Sequence, residues 1–308
     1  LRILTSHAES LPPAAGGDRG VLYASRLTRP AGGAWLGNHL WVADSRARFC
    51  RVEGRPGFAT ARSDVGTPPG LLLSPGQPTY DPRHRAVYLP DNARRGRGLW
   101  RLRFDPQRER LGDLTLIAPG LGIAAVRPTA SALGPDGRLY LGGLNGGAVL
   151  RVDNPAGARQ TVERIGRSLK GGWIGGLAFV GSDLYLAERD GLSLLREATG
   201  EAAERVAARV PHTSPWPTTA ALNDGQGSLF TVVPAMGAVL RLGLVQGVQE
   251  VLAASGTLED GTVAPFVFSR CKSAGLALAP GGHLLVFDDP GRDLFDAQGR
   301  IWLLPLRH

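Results

Sequence analysis

A unit of about 40 residues recurs six times along the chain, and that recurrence restricts the possible folds more than any bulk property. It is clearest from Arg127 to Asn154. Thr129–Leu133 alternates as a short apolar strand, and Pro135-Asp136-Gly137 supplies the positive φ of a tight hairpin. Leu139–Leu141 is a second strand, Asn145-Gly146-Gly147 turns again, Ala148–Val152 is a third strand, and Gln160–Ile165 is a fourth. Second strands of the same kind begin at His39, Ala86, Arg138, Asp183, Ser228 and His283. Their central residues Trp41, Tyr88, Tyr140, Tyr185, Phe230 and Leu285 are spaced 47, 52, 45, 45 and 55 apart. A four-stranded antiparallel meander cannot bury both faces alone, so six of them must stack and close. The expected fold is all-β, a six-bladed β-propeller of four-stranded antiparallel blades forming one domain over residues 1–308.

Closure has its own signature. The C-terminus ends at Ile301–Leu306 with only three strands in the last blade, so an N-terminal strand must complete it. Val21–Leu27 stands where every other blade's preceding outer strand stands and is the expected closing strand, ahead of Leu1–Thr5. The other outer strands read as Phe58–Val65, Leu114–Ala118, Gln160–Ile165, Glu204–Val210 and Val248–Ala253.

Composition fits a packed protein. The 43 glycines and 23 prolines fall between apolar runs, where turns belong, and no apolar stretch is long enough to span a bilayer. The net charge is +8, and Lys170 and Lys272 are the only lysines among 35 basic residues. Arginine in this excess reflects a GC-rich coding bias and also suits bidentate capture of carboxylate or phosphate. The arginines are dispersed without a nucleic-acid-binding motif. No Gly-x-Ser-x-Gly, His-Glu-x-x-His, Walker loop or Cys-x-x-Cys occurs, the six histidines are scattered, and no catalytic residue is named.

Propeller geometry sorts the loops between two faces. First-to-second turns such as Pro135-Asp136-Gly137, Asn223-Asp224-Gly225 and Pro280-Gly281-Gly282 lie on a short-turn face. Second-to-third loops and blade crossovers lie on the opposite, loop-rich face. That rim carries Asp44, Arg46, Asp91, Arg94, Arg95, Asn145, Glu188, Arg189 and Asp288 from the loops. It carries Arg127, Trp173, Trp216, Arg270 and Lys272 from the crossovers. The expected ligand-binding set is Arg46, Arg94, Arg95, Arg127, Asn145, Trp173, Arg189, Trp216, Arg270 and Lys272.

Pro135–Leu141, Leu40-Trp41-Val42-Ala43-Asp44 and four apolar-Arg-apolar units resemble the NHL-repeat and SMP-30/gluconolactonase-like six-bladed propellers. The units are Cys50-Arg51-Val52, Trp100-Arg101-Leu102, Leu150-Arg151-Val152 and Leu240-Arg241-Leu242. The resemblance covers nearly all of the chain. It implies a Ca²⁺- or Zn²⁺-dependent lactonase or ester hydrolase with oxygen ligands at the pore mouth, for which Glu188, Asn145, Asp91 and Asp288 are the candidates here. The inner strands instead open on Pro78-Thr79, Pro128-Thr129 and Pro217-Thr218, pairs that read as structural pins at the ring centre.

The leading expectation is a non-catalytic, extracytoplasmic propeller, periplasmic or secreted, that binds a small anionic or aromatic ligand, or a protein partner, on its loop-rich rim. It is expected to be a monomer without nucleic-acid partners, and the metal-dependent hydrolase is the alternative. Cys50 and Cys271 fall on one rim in blades that closure makes neighbours, which points to a disulfide. Two separate thiols, or a soft-metal pair with His212 or Met236, are the other readings. A bond closing 221 residues would stabilise by about 5 kcal/mol in the chain-entropy model. Thiol titration of the denatured, unreduced protein is expected to find none, and two thiols per chain would eliminate both the bond and the main argument for an oxidising compartment.

Overall fold

The structure is a computed structural model. It describes residues 19–27, 30–44, 48–53, 60–65, 74–93, 98–112, 114–119, 121–168, 172–188, 191–198, 204–205, 220–234, 237–244, 248–258, 260–266, 268, 275–288 and 299–306.

Six small antiparallel sheets form a ring. The chain opens with β1 (Gly20–Leu27) and then builds blade 1 from β2 (Pro30–Leu36), β3 (His39–Asp44), β4 (Arg48–Glu53) and β5 (Thr60–Val65). Blade 2 is β6 (Thr79–Asp81), β7 (Ala86–Asp91), β8 (Gly98–Asp105) and β10 (Thr115–Ile117), with the short β9 (Arg110–Leu111) folded back on β8. Blade 3 is β11 (Pro128–Leu133), β12 (Leu139–Gly143), β13 (Ala148–Asp153) and β14 (Thr161–Arg167). Blade 4 is β15 (Ile174–Val180), β16 (Asp183–Glu188), β17 (Gly191–Leu195) and β18 (Glu204–Arg205). Blade 5 is β19 (Ala221–Asn223), β20 (Ser228–Val233), β21 (Ala238–Gly243) and β22 (Val248–Ala253). An outer hairpin, β23 (Ser255–Thr257) and β24 (Val263–Pro265), precedes the last blade of β25 (Gly275–Ala279), β26 (His283–Asp288) and β27 (Gly299–Pro305).

The N-terminal strand closes the ring as its sequence position implied. β1 runs antiparallel to β27, with Val21 opposite Leu303 and Leu22 opposite Trp302. The hairpin was not legible: β23 lies parallel to the outer edge of β1, and β24 covers β23 in turn. It shields backbone groups that the closing strand would otherwise present. Of the Glu204–Val210 strand, Glu204–Arg205 pairs with β17 and the remainder lies outside the described residues.

Alternation within each strand sends side chains to both faces of its blade, and each face packs on a neighbour. The core accordingly divides into six apolar clusters, one at each blade-to-blade interface. Trp41 and Phe49 meet Leu89 and Leu102 between blades 1 and 2, for example, while Val42 meets Phe287 and Ile301 between blades 1 and 6. At the centre the inner strands touch directly. A Cβ on Gly275 of blade 6 would overlap the Gly32 backbone of blade 1, so only glycine admits that approach. The Pro-Thr pairs act as pins between blades: Thr79 Oγ1 donates to the Ser131 carbonyl (2.8 Å), and Thr129 Oγ1 to the Ile174 carbonyl (2.6 Å). Pro217-Thr218 lies outside the described residues.

The four arginines of the apolar-Arg-apolar units have structural partners. Arg51, Arg101, Arg151 and Arg241 stand opposite Trp41, Tyr88, Tyr140 and Phe230 in register. The Arg51 guanidinium lies 6.0 Å from the centre of the Trp41 ring, and Arg101 donates to the Ala156 carbonyl of blade 3 (2.6 Å). Arg151 pairs with Glu163, and Arg241 with Glu250.

Closure through β1 gives a direct test. Leu22 is buried in the cluster between blades 5 and 6, whereas Val21 is 51% exposed. Leu22→Ala is expected to cost about 2–4 kcal/mol in urea unfolding and Val21→Ala under about 0.5 kcal/mol. Equal effects would mean that β1 does not close the ring.

Candidate functional site

Four carboxylates placed on the rim by their sequence positions turn out to be the last residues of second strands. Asp44, Asp91, Glu188 and Asp288 are all at most 5% exposed. Their surroundings repeat from blade to blade. The residue two positions earlier in each second strand pairs with a third-strand residue, giving Val42–Cys50, Leu89–Trp100, Leu186–Ser193 and Val286–Trp302. In three of these blades that residue donates to the carboxylate. Trp100 Nε1 donates to Asp91 (3.2 Å), Trp302 Nε1 to Asp288 (3.0 Å), and Ser193 Oγ to Glu188. Cys50 holds the same register position beside Asp44 in blade 1. Blades 3 and 5 carry Gly143 with Leu150 and Val233 with Leu240 there, without the acid or the donor.

Asp91 is held by three donors. Its Oδ1 accepts from the Ser74 and Ala93 amides at 2.7 and 2.9 Å, and its Oδ2 from Trp100. Burial nevertheless pushes its carboxyl above the usual range, against these three bonds.

These placements bear on metal binding. Asp91, Asn145, Glu188 and Asp288 belong to blades 2, 3, 4 and 6, and three of them accept donors from their own third strands. No group of three or more His, Cys, Asp or Glu side chains placed to hold a metal occurs among the described residues. Asn145 is exposed and gives its amide to the Ala125 carbonyl (2.9 Å). Asp91, Glu188 and Asp288 are each engaged inside their own blade, and the described residues do not assemble them into one oxygen cluster of the kind Ca²⁺ or Zn²⁺ takes.

Three of the expected ligand-binding residues do come together. A one-turn helix, Ile123–Val126, ends at Arg127, which caps it in the left-handed region (φ 53°, ψ 69°). Arg127 thus stands one residue before the inner strand β11, at the axis on the loop-rich face. In blade 4, Trp173 occupies the corresponding place before β15. The Thr129–Ile174 bond ties the two entrances together. The Asn145 loop closes over the same helix: the Leu144 amide donates to the Arg127 carbonyl and the Asn145 amide to the Val126 carbonyl, both at 3.1 Å. A Cβ at residue 143 would overlap the Val126 carbonyl oxygen, so the glycine that replaces the carboxylate in blade 3 lets Arg127 approach. Ser168 links this loop to the next crossover, its amide donating to the Gly147 carbonyl (2.7 Å) and its hydroxyl to Gly172 (3.3 Å).

The Arg127 guanidinium has no carboxylate partner among the described residues, and its buried Nε has no hydrogen bond. A non-glycine residue in the left-handed region costs about 1 kcal/mol, and Arg127 is one of seven such residues among those described. Arg46, Arg94, Arg95, Arg189, Trp216, Arg270 and Lys272 lie outside the described residues, as does Cys271. Cys50 is buried in β4, and no disulfide occurs among the described residues.

No protein-family model and no curated protein sequence matches the chain. Solved structures do. A PQQ-bound aldose sugar dehydrogenase from Streptomyces coelicolor aligns with 96% of this chain and 99% of its own, at 19% identity and a TM-score of 0.63. A gluconolactonase from Xanthomonas campestris aligns over 96% and 94%, at 16% identity and 0.61. A Bacteroides thetaiotaomicron protein of unknown function aligns over 93% and 76%, at 14% identity and 0.65. At these identities the likeness is one of fold, the six-bladed propeller.

The Asp91 clasp carries a pH-dependent prediction. A carboxyl whose folded pKa is raised favours the folded state at low pH, and that contribution is lost as pH rises through the folded value. Trp100→Phe removes a donor that matters most to the ionised form. Its destabilisation is expected to be larger at pH 7 than at pH 4 in urea unfolding, and a pH-independent cost would show that the bond does not stabilise the carboxylate.

Proposed function

We propose that this propeller binds a small anionic ligand at the mouth of its axial channel on the loop-rich face. The ligand's charge would lie on Arg127 and its body against Trp173. The observation that carries the reading is Arg127 itself, a guanidinium without an acidic partner among the described residues, held at positive φ beside the ring axis. Its backbone and the neighbouring loop are fixed by hydrogen bonds before any ligand arrives, so little ordering entropy remains to be lost on binding. A guanidinium and a half-buried indole at adjoining strand entrances suit a carboxylate or phosphate attached to a flat or ring-shaped body. The reading includes an extracytoplasmic location and a role without chemistry of its own.

A second reading is enzymatic. Two structures of the same fold are described as a gluconolactonase and an aldose sugar dehydrogenase, which supports turnover of a sugar-derived substrate in the same channel mouth. This reading stands on the fold alone.

Arg127→Gly separates binding from folding, because glycine removes the guanidinium and relieves the strained backbone together. The variant is expected to be as stable as the parent or more stable by up to about 1 kcal/mol. It should bind a panel of small carboxylates and phosphate monoesters at least about tenfold more weakly, read by calorimetry and tryptophan fluorescence at low salt. Equal binding by both proteins, or no saturable binding by the parent, would overturn the proposal. Hydrolysis of a sugar lactone by the purified parent would shift the assignment to the enzymatic reading.

A further inference from the structure

The other end of the channel is chemically different. A cavity of about 410 Å³ opens on the short-turn face and is lined by the later residues of all six inner strands. None of its lining residues is charged. Strand register arranges the wall in layers. At the mouth, paired with Leu40, Val87, Leu139, Leu184, Leu229 and Leu284, stand Trp35, Tyr80, Leu133, Phe179, Asn223 and Leu278. One step deeper the corresponding residues are mostly small, with alanine at 34, 132, 178 and 277, and this contraction leaves room behind the collar.

The three aromatic members of the collar are held in fixed planes. Trp35 meets Tyr23 edge to face at 6.3 Å, Tyr80 meets Phe104 at 6.3 Å, and Phe179 meets Tyr140 at 4.9 Å. Each brace comes from a strand outside the collar, so the rings are positioned whether or not anything is bound. The Trp35 indole N–H and the Tyr80 hydroxyl have no hydrogen-bond partner among the described residues. At the inner end, Gln77 donates through Nε2 to the Leu276 carbonyl (3.2 Å), crossing from blade 2 to blade 6 past blade 1. Thr79 and Ser131 bond to each other there at 2.8 Å.

We propose that this cavity is a second binding site, distinct from the Arg127 mouth, and that it takes a neutral polyhydroxylated ring of monosaccharide size. The argument is one of matching chemistry. Fixed aromatic faces stack on the C–H faces of such a ring, while indole N–H, phenol and hydroxyl groups bond to its hydroxyls. A fully apolar ligand would leave those polar edges without partners, and a charged one would enter a wall with no counter-charge. The volume lies in the range of small-molecule pockets.

The test uses the purified chain and a panel of neutral aldohexoses, aldopentoses and cyclitols, with the corresponding uronic acids as charged counterparts. Saturation-transfer NMR and tryptophan fluorescence report binding. At least one neutral member is expected to bind saturably in the millimolar range, and its uronic acid more weakly. Trp35→Ala removes a stacking face, and Leu278→Arg places a cation at a collar position that is already 36% exposed and so tolerates substitution. Each is expected to weaken the bound sugar at least about tenfold. Tyr80→Phe, which keeps the ring and the fold, should weaken it less. Arg127→Gly should leave it unchanged, so failure of the anion site and failure of this one are distinguishable. No saturable binding by any neutral member, or unchanged binding in Leu278→Arg and Tyr80→Phe, would overturn the proposal.

Discussion

Every blade of this protein is apolar on both faces, and that single condition organises the molecule. A sheet that must be covered twice is stable only between two others, so six sheets close on themselves and the core becomes six interfaces. The demand is strictest where the chain ends meet. There β1 completes the last sheet, Leu22 enters the cluster between blades 5 and 6, and Gly275 lets the inner strands of blades 6 and 1 touch. A ring of this kind gains little from any one blade and depends on all of them.

Because both faces are buried, polar groups at strand ends need partners inside their own blade. The carboxylate clasps meet that need. An acid at the end of the second strand would be costly to bury alone, and a donor placed two register steps back on the third strand offsets the cost. Blade 3 departs from this rule by having glycine in place of the acid, and there the backbone of Arg127 moves in. Blade 5 also omits the acid, with Val233 at that position, and in blade 3 the omission is what admits the Arg127 backbone.

The fold was legible because its signals are local. Period-two alternation marks a strand, Asp-Gly and Pro-Gly mark its turns, and a last blade with three strands calls for a fourth from the other end. The clasps were not legible, because Asp44, Asp91, Glu188 and Asp288 precede turns and look like loop residues. Their donors are recognisable only through cross-strand register, at separations of 5, 9 and 14 residues for Glu188, Asp91 and Asp288. The hairpin of β23 and β24 escaped because Ser255–Thr257 and Val263–Pro265 are too short and too weakly apolar to announce strands. Arg127, Asn145 and Trp173 were legible as rim residues, since propeller topology alone places crossovers and second-to-third loops on one face. The collar was not, because Trp35, Tyr80 and Phe179 come from three separate inner strands with no shared motif.

The two ends of the channel differ because they are built from opposite ends of the same strands. Residues entering an inner strand follow a crossover, whose length and sequence vary between blades, so a single blade can place an arginine or a tryptophan there without disturbing the others. Residues leaving it are bound by short turns and pack against second-strand leucines and valines, as Trp35 does on Leu40, Tyr80 on Val87 and Phe179 on Leu184. Between them Gln77 reaches from blade 2 to Leu276 of blade 6, and the Thr79–Ser131 pair joins the inner strands of blades 2 and 3. The residues lining the short-turn cavity are uncharged, while Arg127 stands at the entrance of β11 on the other face. The two proposed sites would then be told apart by a ligand's own charge, before any finer complementarity operates.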